Sequence, residues 1–229
     1  MSIKHGMVLA AGLGKRMQPL TLKTPKPLLK FKNLTMLEHT INFIENLGLN
    51  KIIINTFYLE KQIIDFIFNH PLKKKIEIIS DGKKILGTGG GILNMINSTS
   101  EKDFLVFNPD TLWNSNYLVV VNKMCKIYFK NEMENCLLLV RKEKSFDTRF
   151  NGDFGMISNI LNKKNKDLIY TGCQIINKNL FNGYKKNFFS ISKFWNKKLK
   201  EKDLYGIECE EEFIHLTDFE IYNKLLKNN

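Results

Sequence analysis

Short β-branched runs alternate with helix-periodic stretches over the first 140 residues, and no other feature restricts the fold as strongly. Residues 3–10, 51–55, 76–79, 104–107 and 136–140 read as strands. The run KIIIN at 51–55 is continuous and apolar, as in a strand covered on both faces of a parallel sheet. Residues 58–68, 91–96 and 116–129 read as helices. Another helix is expected at Thr35-Met36-Leu37-Glu38, which has the form of a capping box. Leu37, Ile41, Ile44 and Leu47 recur there at helical spacing, and Gly48 ends the segment. This alternation implies an α/β fold, a mostly parallel central sheet with right-handed connections and helices on both faces. Ligands on such sheets bind beyond the carboxyl ends of the strands. The loops after residues 10 and 107 are therefore where chemistry is expected. After Phe150 the rhythm changes: residues 154–160 and 168–176 read as added strands, and 190–199 and 217–226 as helices. One domain over residues 1–229 is the expectation.

Composition excludes several classes. The chain has 229 residues, 43% hydrophobic and 11% aromatic, enough to bury a core without staples. Cys125, Cys136, Cys173 and Cys209 form no CxxC pair. They read as small core residues of a reducing compartment, not as a disulfide framework or a zinc site. No apolar run approaches the ~20 residues of a membrane span. The opening MSIKHGMVLAAG lacks an apolar leader core followed by a small-residue cleavage site. A cytoplasmic protein with no membrane partner is expected. The net charge is +12, from 35 basic and 23 acidic residues. Only Arg16, Arg141 and Arg149 are arginine, and the lysines are spread along the chain. Stacking on nucleic acid favours interleaved aromatics and arginines, which are absent. The charge reads as a solvated surface whose field would favour a small anionic ligand, with no nucleic-acid partner.

The strongest local signal is Leu9-Ala10-Ala11-Gly12-Leu13-Gly14-Lys15-Arg16-Met17, just past the first strand. Two glycines two apart let backbone N–H groups approach an anion. Met17 stands where a dinucleotide fingerprint needs its third glycine, and no GK[ST] follows, so this is neither a Rossmann fingerprint nor a P-loop. A tight turn would account for the glycines alone. Arg16 offers a planar donor fork. Lys26 is locked between Pro25 and Pro27 on stiff backbone, which suits a lysine that must meet a phosphate in fixed geometry.

The stretch from Leu9 through Gln18-Pro19-Leu20-Thr21, with Pro25-Lys26-Pro27-Leu28, resembles the signature of the sugar-1-phosphate nucleotidylyltransferases. Within them it is most similar to the short N-acetylmuramate-1-phosphate uridylyltransferase type. The resemblance continues through Thr88-Gly89-Gly90-Gly91, Asn108-Pro109-Asp110, Asn151-Gly152-Asp153-Phe154 and Tyr170-Thr171-Gly172, and thins after about Phe181. It implies a Rossmann-like, glycosyltransferase-A-like fold. Residues 1–140 would be a nucleotide-binding half, and 141–229 a sugar-side extension with the last helix. The implied reaction is attack of a sugar-1-phosphate oxygen on the α-phosphorus of a nucleoside triphosphate, with loss of pyrophosphate. By this resemblance the residues from Leu9 to Lys15 and Asn108 would hold the nucleotide. Arg16 would grip the leaving pyrophosphate, and Lys26 would stabilise charge on the α-phosphate. Thr88, Gly89 and Gly90 would let the base pack on bare backbone; a flexible loop is the plain alternative. Asp153, Thr171 and Gly172 would meet the sugar, although a strand-edge turn equally explains Gly152-Asp153.

Asp110 is expected at the carboxyl edge, where the resemblance implies a Mg²⁺ ligand; a turn cap would also explain it. The resemblance further implies a second carboxylate near the end of the chain. Here the matching stretch is Phe213-Ile214-His215-Leu216-Thr217-Asp218, with His215 in that place. Imidazole is a poorer Mg²⁺ ligand and suits softer ions. Three readings stay open: a site with one carboxylate, a His215 that hydrogen-bonds phosphate or metal-bound water, or a shifted match in which Asp218 serves. Asp218 or Thr217 would otherwise cap the last helix. UTP and N-acetylmuramate-1-phosphate are the first substrates to consider, as a step in peptidoglycan recycling. Mannose- or heptose-1-phosphate guanylylation and transfer of CMP to phosphocholine are alternatives, as is a non-catalytic nucleotide-binding homologue. The protein would be a monomer or homodimer.

Overall fold

The apolar runs of the first half become the centre of a seven-stranded sheet. The computed structural model describes residues 3–227; Met1 and Ser2, at the head of the segment read for a leader, lie outside it. In chain order the elements are β1 (His5–Leu9), β2 (Lys30–Phe31), β3 (Leu34–Thr35), α1 (Met36–Asn46), β4 (Lys51–Thr56), α2 (Glu60–Phe68), β5 (Ile76–Ser80), α3 (Gly87–Ile96), β6 (Asp103–Phe107), α4 (Asn116–Lys130), β7 (Asn135–Arg141), β8 (Gly155–Ile157), β9 (Ile160–Asn162), β10 (Leu168–Asn177), α5 (Ser192–Lys200), β11 (Gly206–Cys209) and α6 (Phe219–Lys227). The sheet order is β11-β7-β10-β6-β1-β4-β5. Only β10 runs antiparallel, inserted between β6 and β7. It is a mostly parallel sheet, as the alternation predicts.

Both faces are covered. One core packs α1, α2 and α4 on the sheet through Ile41, Ile44, Ile63, Val121 and Met124 against Val8, Ile54 and Phe107. The other packs α3 and α5 through Ile92, Met95 and Phe194 against Met7, Ile53, Phe104 and Val106. Burying each such side chain stabilises by roughly 1.5–3 kcal/mol, so the continuous runs hold the central strands firmly. A third cluster seats Tyr222 and Leu225 of α6 on Met17, Leu29, Phe31 and Met36, so the C-terminal helix supports the glycine–proline loop. Tyr222 also donates from its hydroxyl to the Lys30 carbonyl at 2.6 Å. All four cysteines are buried and unpaired. No helix among the described residues is long and apolar enough to cross a membrane.

Local signals hold where they rest on side-chain chemistry. The Thr35 hydroxyl accepts from Glu38 N at 3.1 Å, and Glu38 Oε2 accepts from Thr35 N at 3.4 Å, completing the capping box of α1. Two expectations are corrected, and a strand the sequence did not show is added. Residues 154–160 are not one strand; β8 and β9 form a hairpin, turned by Ser158 and Asn159 in the left-handed region (φ 50° and 65°). The helix expected at 91–96 starts at Gly87; its first turn is nearly all glycine, whose poor helix propensity hides it in the sequence. β11 has no counterpart among the expected strands; its four residues, GIEC, carry too little pattern to read. The glycine- and proline-rich loop after β1 contains short 3-10 turns at Lys15–Met17, Leu20–Leu22 and Lys26–Leu28.

Candidate active site

The two loops singled out by the sequence meet at the carboxyl edge of β1 and β6. Gly14 takes φ 61°, and a Cβ there would lie 2.9 Å from Thr21 Cγ2 and 3.2 Å from Lys26 Cβ. Only glycine lets the loop fold this tightly over the proline-flanked lysine. The Thr21 hydroxyl donates to the Gly14 carbonyl at 2.8 Å, and Tyr58 Oη donates to the Thr21 carbonyl at 2.8 Å. The loop is thus braced from α2's side before any ligand arrives.

Beside it lies a pocket of about 230 Å³. Of the residues expected to bind nucleotide, Leu9, Ala11, Gly12, Gly14, Lys26, Thr88 and Asn108 line it, as does Asp110. Pro27 and Pro109, which flank Lys26 and Asp110, line it too, as do Asn55, Ile85 and Gly87, which the sequence does not single out. Ala10, Leu13, Lys15, Arg16, Gly89 and Gly90 are not among its lining residues. Arg16 and Lys15 lie on the turn that follows Gly14, with Arg16 exposed.

The glycine run at 87–91 has a structural explanation. A Cβ on Gly89 would come within 2.4 Å of the Phe189 ring, and one on Gly90 within 2.2 Å of the Asn187 carbonyl oxygen. Gly89 N and Gly90 N both donate to the Phe189 carbonyl, at 3.0 and 3.2 Å. These two glycines meet the segment before α5, not open pocket. Gly91 lies against the Asn55 amide, where a Cβ would fall 2.6 Å from Nδ2.

Asn55 is the residue that sequence reading missed most. It is 1% exposed at the end of β4. Its Oδ1 accepts from Ala10 N at 3.0 Å, and its Nδ2 donates to Asp81 Oδ1 at 3.1 Å. Asp81 Oδ2 in turn accepts from Leu86 N at 3.2 Å. One buried polar chain therefore ties the glycine loop to the start of α3. The available signal was a polar residue closing an otherwise apolar strand.

Lys26 Nζ lies 2.6 Å from Asp110 Oδ2, and His215 Nε2 lies 3.3 Å from the same oxygen. All three side chains are largely buried. Burial alone would raise the Asp110 pKa; Lys26 and His215 outweigh it and hold the carboxyl well below its usual range. Asp110 Oδ1 is buried without a hydrogen-bond partner. The segment carrying His215 is stitched to this loop: Leu216 N donates to the Asp110 carbonyl at 2.8 Å, and Leu112 N to the Ile214 carbonyl at 2.9 Å. The structure thus brings His215 to Asp110. It directs Asp218 elsewhere, with Oδ1 accepting from Ile221 N at 3.0 Å as the cap of α6 and Oδ2 bound by Arg149 at 2.7 Å.

The expected sugar contacts act largely on the scaffold. Thr171 is fully buried; its hydroxyl donates to the Leu138 carbonyl at 2.9 Å, and its carbonyl accepts from Thr111 Oγ1 at 2.7 Å. The Gly172 carbonyl accepts from Asn108 N at 2.8 Å. At φ 94° a Cβ on Gly172 would lie 2.9 Å from Asn108 Cβ. Both residues brace the loop that carries Asp110. Asp153 is exposed and accepts from Tyr170 N at 2.9 Å.

This arrangement offers backbone donors, one buried lysine and one ionised carboxylate beside a pocket, which suits a polyphosphate. Comparison with known proteins agrees. The chain is 25% identical to N-acetylmuramate alpha-1-phosphate uridylyltransferase of Caulobacter vibrioides, over 94% of this chain and 92% of that one. It is 26% identical to D-glycero-alpha-D-manno-heptose 1-phosphate guanylyltransferase of Aneurinibacillus thermoaerophilus, over 97% of each. HddC from Yersinia pseudotuberculosis, in a crystal structure with GMP-PN, shares the fold at TM-score 0.77 and 22% identity, covering 99% of both chains. The nucleotidyl transferase family model matches residues 5–150, well over half the chain and including both the glycine loop and Asp110. The chain therefore belongs to the nucleotidyl transferase family.

Proposed function

We propose that this protein transfers a nucleoside monophosphate from a nucleoside triphosphate to a sugar-1-phosphate, releasing a nucleoside-diphosphate sugar and pyrophosphate. The observation that carries this reading is the Lys26, Asp110 and His215 cluster beside the open backbone of Gly12. Nothing lies within 4 Å of a Cβ position at Gly12, so its backbone is free to be approached by an anion. The phosphate oxygen of the acceptor forms a bond to the α-phosphorus, and the bond from that phosphorus to the bridging oxygen of pyrophosphate breaks. Such a reaction needs mainly positioning and charge neutralisation. Lys26, rigid between its prolines, holds a cation at the pocket wall where charge builds on the α-phosphate. Arg16, exposed after the glycine turn, is available to the leaving pyrophosphate. Asn108, Thr88 and the residues from Leu9 to Lys15 would cradle the nucleotide, and Asp153 with the β10 edge would face the sugar. Residues 1–140 would serve the nucleotide and 141–229 the acceptor.

The unpartnered Oδ1 of Asp110 fits a divalent cation such as Mg²⁺, which takes one or two carboxylates and completes its shell with phosphate and water. Asp110 would hold it with His215 alongside, and the bound ion would neutralise phosphate charge. Asp110 stays ionised for this task because Lys26 and His215 outweigh its burial.

UTP with N-acetylmuramate-1-phosphate is the first substrate pair, supported by the Caulobacter relative. A heptose-1-phosphate with GTP is the second reading, supported by the Aneurinibacillus relative at similar coverage. The test is a coupled pyrophosphate-release assay with Mg²⁺, crossing ATP, GTP, CTP, UTP and dTTP with a panel of sugar-1-phosphates and phosphocholine. One strong combination identifies base and acceptor together. A blank grid from protein that still binds a triphosphate would overturn transfer in favour of a binding role.

A further inference from the structure

The candidate pocket has two unlike ends. Strand β1 lies between β6 and β4 in the sheet. Asp110, which follows β6, and Lys26, bound to it, place the charged side chains at one end. Asn55 closes β4 at the other, where Ile85, Gly87 and Thr88 complete the wall with no charged side chain. Thr88 Oγ1 already accepts from Ile191 N at 2.9 Å. A ligand whose phosphates meet Lys26 turns its uncharged part toward Gly87. Phe188 stands beside that glycine. Its Cε2 lies 3.2 Å from where a Cβ on Gly87 would be, and the residue is 68% exposed. The backbone that carries it is fixed. Phe189 N donates to the Leu86 carbonyl at 3.0 Å, and the Phe189 carbonyl accepts from Gly89 N and Gly90 N. The Phe189 ring is buried against Tyr184 and Phe194, with centroids 5.5 and 5.8 Å away. Phe188, one residue earlier, pairs with no aromatic ring among the described residues. Nothing in the fold covers its ring, whereas a planar heterocycle entering at Gly87 would.

We propose that Phe188 is the platform on which the nucleobase of the triphosphate stacks, so that a residue from beyond residues 1–140 sets nucleotide affinity. The inference rests on the transfer reading above, since that reading brings a nucleoside triphosphate to the pocket. Stacking needs an open π-face and an approach free of bulk. The exposed ring offers the first, and Gly87 the second. A side chain at Gly87 would meet the Phe189 carbonyl oxygen at 2.8 Å and press on the Phe188 ring, and φ 71° already disfavours one. Every base has a π-face, so such a platform adds affinity with little choice among bases.

The test compares binding of UTP, GTP and ATP with binding of inorganic tripolyphosphate to the full chain in Mg²⁺, by isothermal titration calorimetry. Phe188→Ala is expected to weaken all three nucleotides about tenfold or more, to a similar degree, and to leave tripolyphosphate unchanged. Phe188→Tyr should keep the wild-type affinity. Phe188→Leu, which keeps bulk without a π-face, should not. Phe188→Trp gives a second readout: beyond the response of the native Trp113 and Trp195, its emission should be quenched by nucleotide and not by tripolyphosphate. The side chain is exposed, so these variants should melt with the wild type. Unchanged nucleotide affinity in Phe188→Ala overturns the inference alone, and so does an equal loss for nucleotide and tripolyphosphate. A raised KM for the sugar-1-phosphate at unchanged nucleotide affinity also overturns it, and gives the ring to the acceptor. A wild type that binds tripolyphosphate but no nucleoside triphosphate overturns the transfer reading as well.

Discussion

Lys26 and Asp110 stand 84 residues apart in the chain and 2.6 Å apart in space. The pair joins the proline-stiffened turn after β1 to the loop after β6, two neighbouring strands whose carboxyl ends open on the same pocket. Each charge offsets much of the cost of the other's burial.

Lys26→Ala is expected to lower kcat by at least about a hundredfold, as loss of a group aimed at transition-state charge does. Circular dichroism should show an intact fold, because the prolines and Gly14 shape the turn. Lys26→Arg should recover little, since the guanidinium fork cannot occupy the space of a compact ammonium. A near-normal kcat for Lys26→Ala would remove the role assigned to this lysine.

Asn55→Ala strands the buried Ala10 N–H and one oxygen of Asp81. It should destabilise the protein by about 1–3 kcal/mol. It should also raise the KM for the triphosphate more than it lowers kcat, because it frees the glycine loop and the start of α3 together. Thermal melts and steady-state kinetics on one preparation separate the two effects.

Gly90→Ala should lower stability by about 1–3 kcal/mol or more, because its methyl meets a backbone oxygen that cannot swing aside. The effect should appear in Tm before it appears in nucleotide affinity. A change in base selectivity at unaltered Tm would instead put this glycine against the nucleobase.

Acid stability should carry the mark of Asp147. Hydrogen bonds from Arg149 hold its pKa at about 2, below an unfolded value of about 3.9. A depressed carboxylate stabilises the fold above the unfolded value, and this contribution is lost as pH falls through the folded one. Tm of the wild type should therefore fall between about pH 4 and pH 2. Asp147→Asn should flatten that slope. Asp110, also held low, stays ionised across any neutral assay, so a loss of activity in mild acid would have another origin.

Much of the architecture was legible because it rests on periodicity and capping. The run KIIIN and the Thr35/Glu38 box each carry their structure within a few residues. The hairpin at β8 and β9 was not legible, since Ser158 and Asn159 adopt left-handed backbone without a glycine to announce it. Nor was β11, whose four residues become a strand only by pairing with β7. At the site, the types and order of Gly12, Gly14, Lys26, Asp110 and His215 were readable, because paired glycines, a proline-flanked lysine and a carboxylate after an apolar strand each leave a local mark, and the structure brings them to one edge of the sheet.

What the chain alone determined, then, was the class of sheet, the glycine–proline loop after its first strand and the residues with chemistry to offer. Tertiary structure decided how they are used. It gave Gly89, Gly90 and Thr171 packing and bracing partners, because close approach and buried hydrogen bonds depend on groups far away in sequence. It raised Asn55 and Asp81 to a buried strut and chose His215 over Asp218 beside Asp110. Those choices follow from which loops share one edge of the sheet, and strand order is a property of long-range pairing that no local run of residues contains.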